Sequence, residues 1–173
     1  MRVGVGVQCS AHSVGLAYER LVLKVLERYG FQILHTGGAG DGGQDFNGFW
    51  LLPRVPEQRV PVLGQCKCLA KAVGPAGVRE FEDVLYRKFP DVSAQSVSGY
   101  IGVMASKSWF TSSALRTVHS SRQPLLVCQV LSRGGLIRLV LNREGQRILG
   151  DVQLVWREGI GLALLVDNHL TLF

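Results

Sequence analysis

The sequence predicts an α/β protein: a mixed β-sheet flanked by helices, carrying a β-rich C-terminal extension. Three observations predict it. Tyr18, Leu21, Val22, Val25, Leu26 and Tyr29 recur at the spacing of one apolar helical stripe. Residues 37–67 hold two strand-like runs separated by a segment of turn composition, Pro53-Arg54-Val55-Pro56-Glu57-Gln58. Residues 99–131 read as strand, helix, strand, a crossover unit that favours parallel pairing.

The first helix is read from Tyr18 onward, with Gly30 as its stop. Glu19 lies beside the apolar stripe, adjacent in helical register to Val22 and Leu23, so its carboxylate borders the core. From the residues alone it reads as an ordinary solvated glutamate. Residues 31–35 form a short extended entry to the glycine cluster 37–43. His35, on that entry, is expected in the wall of a cleft as a hydrogen-bonded structural residue.

Glycines at 37, 38, 40, 42 and 43 let the backbone adopt positive φ and approach a phosphate closely, and Gly40, Gly42 and Gly43 are the candidate contacts. A strand then starts near Asp45. In an antiparallel hairpin the numbers of opposed residues keep a constant sum, so setting Asp45 against Gln65 or Lys67 centres the turn near Val55 or Pro56. Side chains alternate along the second strand, which puts Gln65 and Lys67 on one face and Cys66 and Cys68 on the other. Carboxylate, amide and ammonium converge on one side. Asp41, among the glycines, is the rival to Asp45.

Residues 70–77 are a connector. Val78, Phe81, Val84, Leu85 and Phe89 mark the buried side of a second helix, leaving Arg79, Arg87 and Lys88 outside, with Lys71 just upstream. These cations either follow a phosphate backbone or form a solvated face with Glu80, Glu82 and Asp83. The apolar run 99–105 fits a central strand buried on both faces. Residues 112–120 form a helix with Thr111 or Ser112 as N-cap, broken by Ser121-Arg122-Gln123-Pro124, and 125–131 form another buried strand. Lys107, Trp109, Phe110 and Arg116 interleave basic and aromatic residues. Either the aromatics stack on a base, or they pack over the helix. At the end, 136–141, 152–156, 160–166 and 169–173 read as strands of a β-rich lobe with a turn at Asp167-Asn168; a short helix near Gln146 and an apolar dimerisation face are the alternatives.

With 173 residues, 47% hydrophobic and 18% charged, the chain can bury a core without metal or disulfide staples, and it is neither disordered nor collagen-like. Its formal charge of +6 favours a polyanionic partner. Cys9, Cys66, Cys68 and Cys128 lack the spacing of a secreted disulfide framework and read as reduced thiols of an intracellular protein. A zinc site at Cys66 and Cys68 has no matching second pair. No run is long and apolar enough to cross a bilayer. Residues before Glu19 carry no acid and several serines, a faint transit-segment composition.

Asp45 followed by Gln65-Cys66-Lys67, together with Gly15-Leu16-Ala17-Tyr18-Glu19, Gly74-Pro75, Val78-Arg79-Glu80 and Ser120-Ser121-Arg122-Gln123-Pro124, resembles the PD-(D/E)XK nuclease superfamily in its Mrr-like type IV restriction endonuclease branch. With Trp50-Leu51-Leu52-Pro53 and Leu141-Asn142-Arg143 added, the chain is most similar to the fungal mitochondrial required-for-respiratory-growth family of Mrr-like proteins. The resemblance implies a restriction-endonuclease-like core over 1–132, with 133–173 packed on it as one structural unit. It implies mitochondrial localisation. It also implies a Mg²⁺-dependent deoxyribonuclease, endonuclease rather than exonuclease, with Mn²⁺ as substitute metal, DNA preferred over RNA, and pairing of two copies. Asp45, the Gln65 amide oxygen and the Cys66 carbonyl would hold the metal, joined by Glu19 directly or through water. Lys67 would position the attacking water and stabilise the transition state. Lys71, Arg79 and Lys107 would contact the nucleic-acid backbone. Gln65 stands where an acid is commoner, so the site has one charge fewer, which keeps open a non-catalytic nucleic-acid-binding or assembly protein.

Overall fold

A computed structural model of the chain describes residues 11–38, 42–52, 58–90, 99–158, 161–166 and 169–171. Cys9 and the first ten of the transit-like residues, Gly40, Asp41, the turn centre at 53–57 and Asp167-Asn168 lie outside the described residues, while residues 11–18 of the transit-like stretch are helical.

The first helix, α1, spans Ala11–Glu27, so it begins before the apolar stripe that revealed it. It leads to β1 (Phe31–His35), β2 (Phe46–Leu52) and β3 (Gln58–Lys67), then α2 (Pro75–Lys88), β4 (Ile101–Ser106), α3 (Ser112–Ser120), β5 (Leu125–Leu131) and β6 (Gly135–Leu141). These strands form one six-stranded sheet in chain order. The pairs β3–β4 and β4–β5 are parallel, and the other neighbours antiparallel. The chain continues through α4 (Arg143–Leu149) to β7 (Val152–Arg157), β8 (Gly161–Val166) and β9 (His169–Thr171), a three-stranded antiparallel sheet.

Alternation along the strands divides the interior into two cores. On one face Val60 and Val62 of β3 meet Val22, Val25 and Leu26 of α1; on the other Leu63 meets Phe81, Val84 and Leu85 of α2 and Val118 of α3. β4 is buried along its whole length because both faces are covered, which is why it reads as an unbroken apolar run. Phe31 and Trp50 stack at 4.4 Å between ring centroids, and the fully buried Trp50 donates its indole N–H to the Tyr29 carbonyl at 2.8 Å.

The main sheet does not stop at residue 132. β6 pairs with β5 from Leu131↔Gly135 to Leu126↔Leu141, so this strand belongs to the main sheet instead of a C-terminal lobe. A tight hairpin makes that pairing the nearest available partner. The short helix near Gln146 is α4, and Val152, Leu164 and Val166 of the second sheet join the core on the α1 side.

Candidate active site

The topology collects the candidate residues at one end of the sheet. β1 and β3 both run antiparallel to β2, and β4 runs parallel to β3, so the exits of β1, β3 and β4 lie beside the entry of β2. His35, Lys67 and Ser106 end those strands, and Asp45 precedes β2. The register from Leu52↔Gln58 to Phe46↔Gly64 ends one residue after Asp45, which comes beside Gln65 and Cys66. That is the alignment that centres the turn on Val55. Gly64 allows it because a Cβ there would overlap the Phe46 ring at 1.9 Å.

The Asp45 backbone is fixed from two sides. Its N–H donates to the Gly64 carbonyl at 2.8 Å, and its own carbonyl accepts from Thr36 N at 2.8 Å and Gly37 N at 3.0 Å. Its side-chain Oδ2 accepts from Cys66 N at 2.6 Å. In a β-strand a residue's N–H and C=O point to the same edge and alternate from one residue to the next. The Lys67 carbonyl accepts from Lys107 N at 3.1 Å on the β4 edge. The Cys66 carbonyl therefore faces the opposite edge, where Asp45 lies.

Gln65 donates through Nε2 to the Gly43 carbonyl at 2.8 Å. Its Oε1 is buried and has no hydrogen-bond partner among the described residues. A buried acceptor left unpaired costs roughly 1–3 kcal/mol, so this oxygen is open to a water or a cation. Gly42 and Gly43 have φ of 70° and 90°, and a Cβ on Gly43 would come within 2.9 Å of Val84 Cγ2. Only glycine lets this loop close over Gln65.

Glu19 sits across the sheet end on α1, where its Oε2 accepts from His35 Nε2 at 2.7 Å; both side chains are only about a quarter exposed. Burial pushes the Cys66 thiol well above its ordinary range, and the Asp45 and then the Glu19 carboxylate push it further the same way. Both carboxylates thus act on Cys66, which stays a neutral thiol. Cys66 and Cys68 pack against the α1-side core, as parity requires, and Cys66, Cys68 and Cys128 are free thiols. Among the described residues no three of His, Cys, Asp and Glu are grouped to hold a metal. What lies together here is an amide and a backbone carbonyl beside carboxylates.

Lys67 Nζ lies 3.7 Å from Glu80 Oε2, and Glu80 is 68% exposed, so the pair is worth at most about 1 kcal/mol. Lys67 is readily released. Lys71, Arg79 and Lys107 are exposed around this end, following β3, on α2 and following β4. Trp109 and Phe110 take the packing role: Phe110 is buried, the two rings meet edge to face at 5.5 Å, and the Arg138 guanidinium lies 5.3 Å over Trp109. The sequence does not announce Glu80 beside Lys67, nor Arg87, whose Nη2 donates to the Gly42 carbonyl at 3.3 Å. Glu80, Val84 and Arg87 stand at i, i+4 and i+7 on α2, a spacing that marks one helix side facing the loop.

With that geometry in place, comparison with known proteins identifies the family. Residues 57–153, more than half of the chain, match the family model for Required for respiratory growth protein 7, and the chain belongs to that family. It is 32% identical over 141 residues to an uncharacterized mitochondrial protein of Schizosaccharomyces pombe, a match covering 80% of this chain and 54% of that protein. The chain thus spans about half the length of this curated relative. Both findings agree with the mitochondrial localisation expected from the resemblance. Among solved structures it overlaps a DNA modification-dependent restriction endonuclease, AspBHI, at 15% identity and a TM-score of 0.42, covering 73% of this chain and 37% of that one. No helix among the described residues is long and apolar enough to cross a membrane.

Proposed function

We propose that this chain is a restriction-endonuclease-like domain of the PD-(D/E)XK type that hydrolyses phosphodiester bonds in DNA with Mg²⁺, Mn²⁺ serving as substitute. The observation that carries the reading is the buried, unpartnered Gln65 Oε1 beside Asp45, on the strand that ends in Lys67. This set fits a hard cation: Asp45 and Gln65 Oε1 would hold it, with the Cys66 carbonyl on the same edge and Glu19 completing the charge directly or through water. A bound divalent cation supplies charge neutralisation and Lewis acidity at the scissile phosphate. The protein's own groups do the rest. Lys67, freed from Glu80, orients the attacking water and lends a point charge to the transition state. The glycine loop brings backbone close to the phosphate, and Lys71, Arg79 and Lys107 hold the flanking backbone. DNA over RNA, and endonuclease over exonuclease, follow the family resemblance, as does pairing of two copies for double-strand cutting.

Incubation with duplex, single-stranded, branched and methylated DNA and with RNA, in Mg²⁺ or Mn²⁺, tests this. At least one DNA form should be cut, and Asp45→Ala and Lys67→Ala should each abolish cutting. Cleavage surviving both substitutions would overturn the site.

One observation favours a second reading, a non-catalytic nucleic-acid-binding or assembly protein on the same fold: Gln65 brings no charge where an acid is commoner. That protein would bind DNA or RNA in a salt-sensitive, metal-independent way, and Asp45→Ala would leave binding intact.

A further inference from the structure

The exit of β1 holds two carboxylate residues at once. His35 Nε2 meets Glu19 Oε2 at 2.7 Å, and the next two residues, Thr36 and Gly37, donate their backbone N–H groups to the Asp45 carbonyl at 2.8 and 3.0 Å. Glu19 and Asp45 come from elements 26 residues apart in sequence (19 to 45), and these three consecutive residues tie them together. Gly37 has a further part. A Cβ there would stand 3.1 Å from both Glu19 Oε2 and His35 Nε2, tighter than ordinary contact. The pair is thus boxed in by the backbone that holds Asp45. A carboxylate accepts from an imidazole N–H, so His35 consumes one oxygen of Glu19 and fixes the direction of the other.

We infer that His35 is a positioning residue, which with Gly37 clamps the Glu19 carboxylate in register with Asp45 for the divalent cation of the proposed nuclease site. The inference rests on that nuclease reading. An outer partner of this kind typically changes metal affinity or activity about 10- to 100-fold when removed. A side-chain amide at position 35 can donate from nearly the same place as Nε2, so glutamine should substitute and alanine should not.

The test uses the full chain with Mn²⁺ as probe, reading free Mn²⁺ by electron paramagnetic resonance and cleavage separately. His35→Ala should weaken Mn²⁺ binding by about 10-fold or more and lower kcat with little change in KM for DNA. His35→Gln should restore most of both, and Gly37→Ala, which crowds the pair without deleting it, should repeat the loss. In a Glu19→Ala background His35→Ala should add nothing, because it acts through Glu19. Mn²⁺ binding that Asp45→Ala abolishes but His35→Ala leaves unchanged overturns the clamp alone. A wild-type chain that neither binds Mn²⁺ nor cuts DNA overturns the nuclease reading and the clamp with it. The glutamine rescue, and Gly37→Ala, keep the inference testable should His35→Ala fold poorly.

Discussion

Asn142 is fully buried and polar, and its side chain joins four segments. Its Oδ1 accepts from Leu125 N at the start of β5 and from Gly145 N in the first turn of α4, each at 2.9 Å. Its Nδ2 donates to the Val118 carbonyl at 3.1 Å and the Gln123 carbonyl at 2.8 Å, tying in the end of α3 and the loop after it. One side chain therefore satisfies the loop before Pro124 and caps the following helix. This gives a structural reason for two of the stretches that carried the family resemblance, 120–124 and 141–143. Asn142→Ala should cost roughly 3 kcal/mol or more, since it leaves several buried groups unpaired at about 1–3 kcal/mol each. Asn142→Asp should cost at least as much, because a carboxylate would face the three carbonyls, of Val118, Ser121 and Gln123, that now accept from Nδ2. Urea denaturation of the two variants checks this, and a loss under 1 kcal/mol for Asn142→Ala would remove Asn142 from this role.

At the scale of elements, the crossover from β4 through α3 to β5 sets the sheet end that carries the site. α3 begins at Thr111, whose Oγ1 accepts from Ala114 N at 3.1 Å. Thr111→Ala should lower stability by about 1 kcal/mol. It should leave Mn²⁺ binding unchanged, which melting curves with and without metal would test. The helix, its cap and β5 were legible in the sequence because their signals are local: apolar period, a hydroxyl before the helix, a proline after it. The β2–β3 hairpin was legible for a related reason, since its parity and turn position constrain each other. What the sequence hid depends on distant partners. Nothing near Lys67 in the chain announces Glu80, thirteen residues on, and nothing in the lone His35 announces Glu19. The assignment of β6 to the main sheet was hidden too, because the strand's composition suits either sheet, and only its hairpin with β5 decides.

At the scale of the whole molecule, stability rests on two cores that share one sheet, and both contain acids held protonated by burial. Cys128, fully buried in the α1-side core, is pushed from its ordinary 9.0 up to about 12. Tyr100, in the α2-side core, is pushed from 10.0 up to about 12 by burial, and its hydroxyl donates to Gln123 Oε1. Tyr18, buried with its hydroxyl donating to the Val130 carbonyl at 3.0 Å, is raised as well. Above about pH 9 the unfolded chain releases protons that the folded chain keeps, so the unfolded state binds fewer protons and stability falls as pH rises. The contribution of Cys128 is complete below about pH 9 and is lost on approaching pH 12; that of Tyr100 begins to fall near pH 10. Urea midpoints measured from pH 7 to 11 should therefore hold steady to about pH 9 and then decline. Cys128→Ala should start lower at neutral pH, by about 1 kcal/mol for the small cavity it leaves, yet decline less steeply above pH 9. The two curves should converge as pH rises, and a wild-type midpoint that stays level to pH 11 would show that these groups exchange protons freely in the folded state, against the closed packing of both cores.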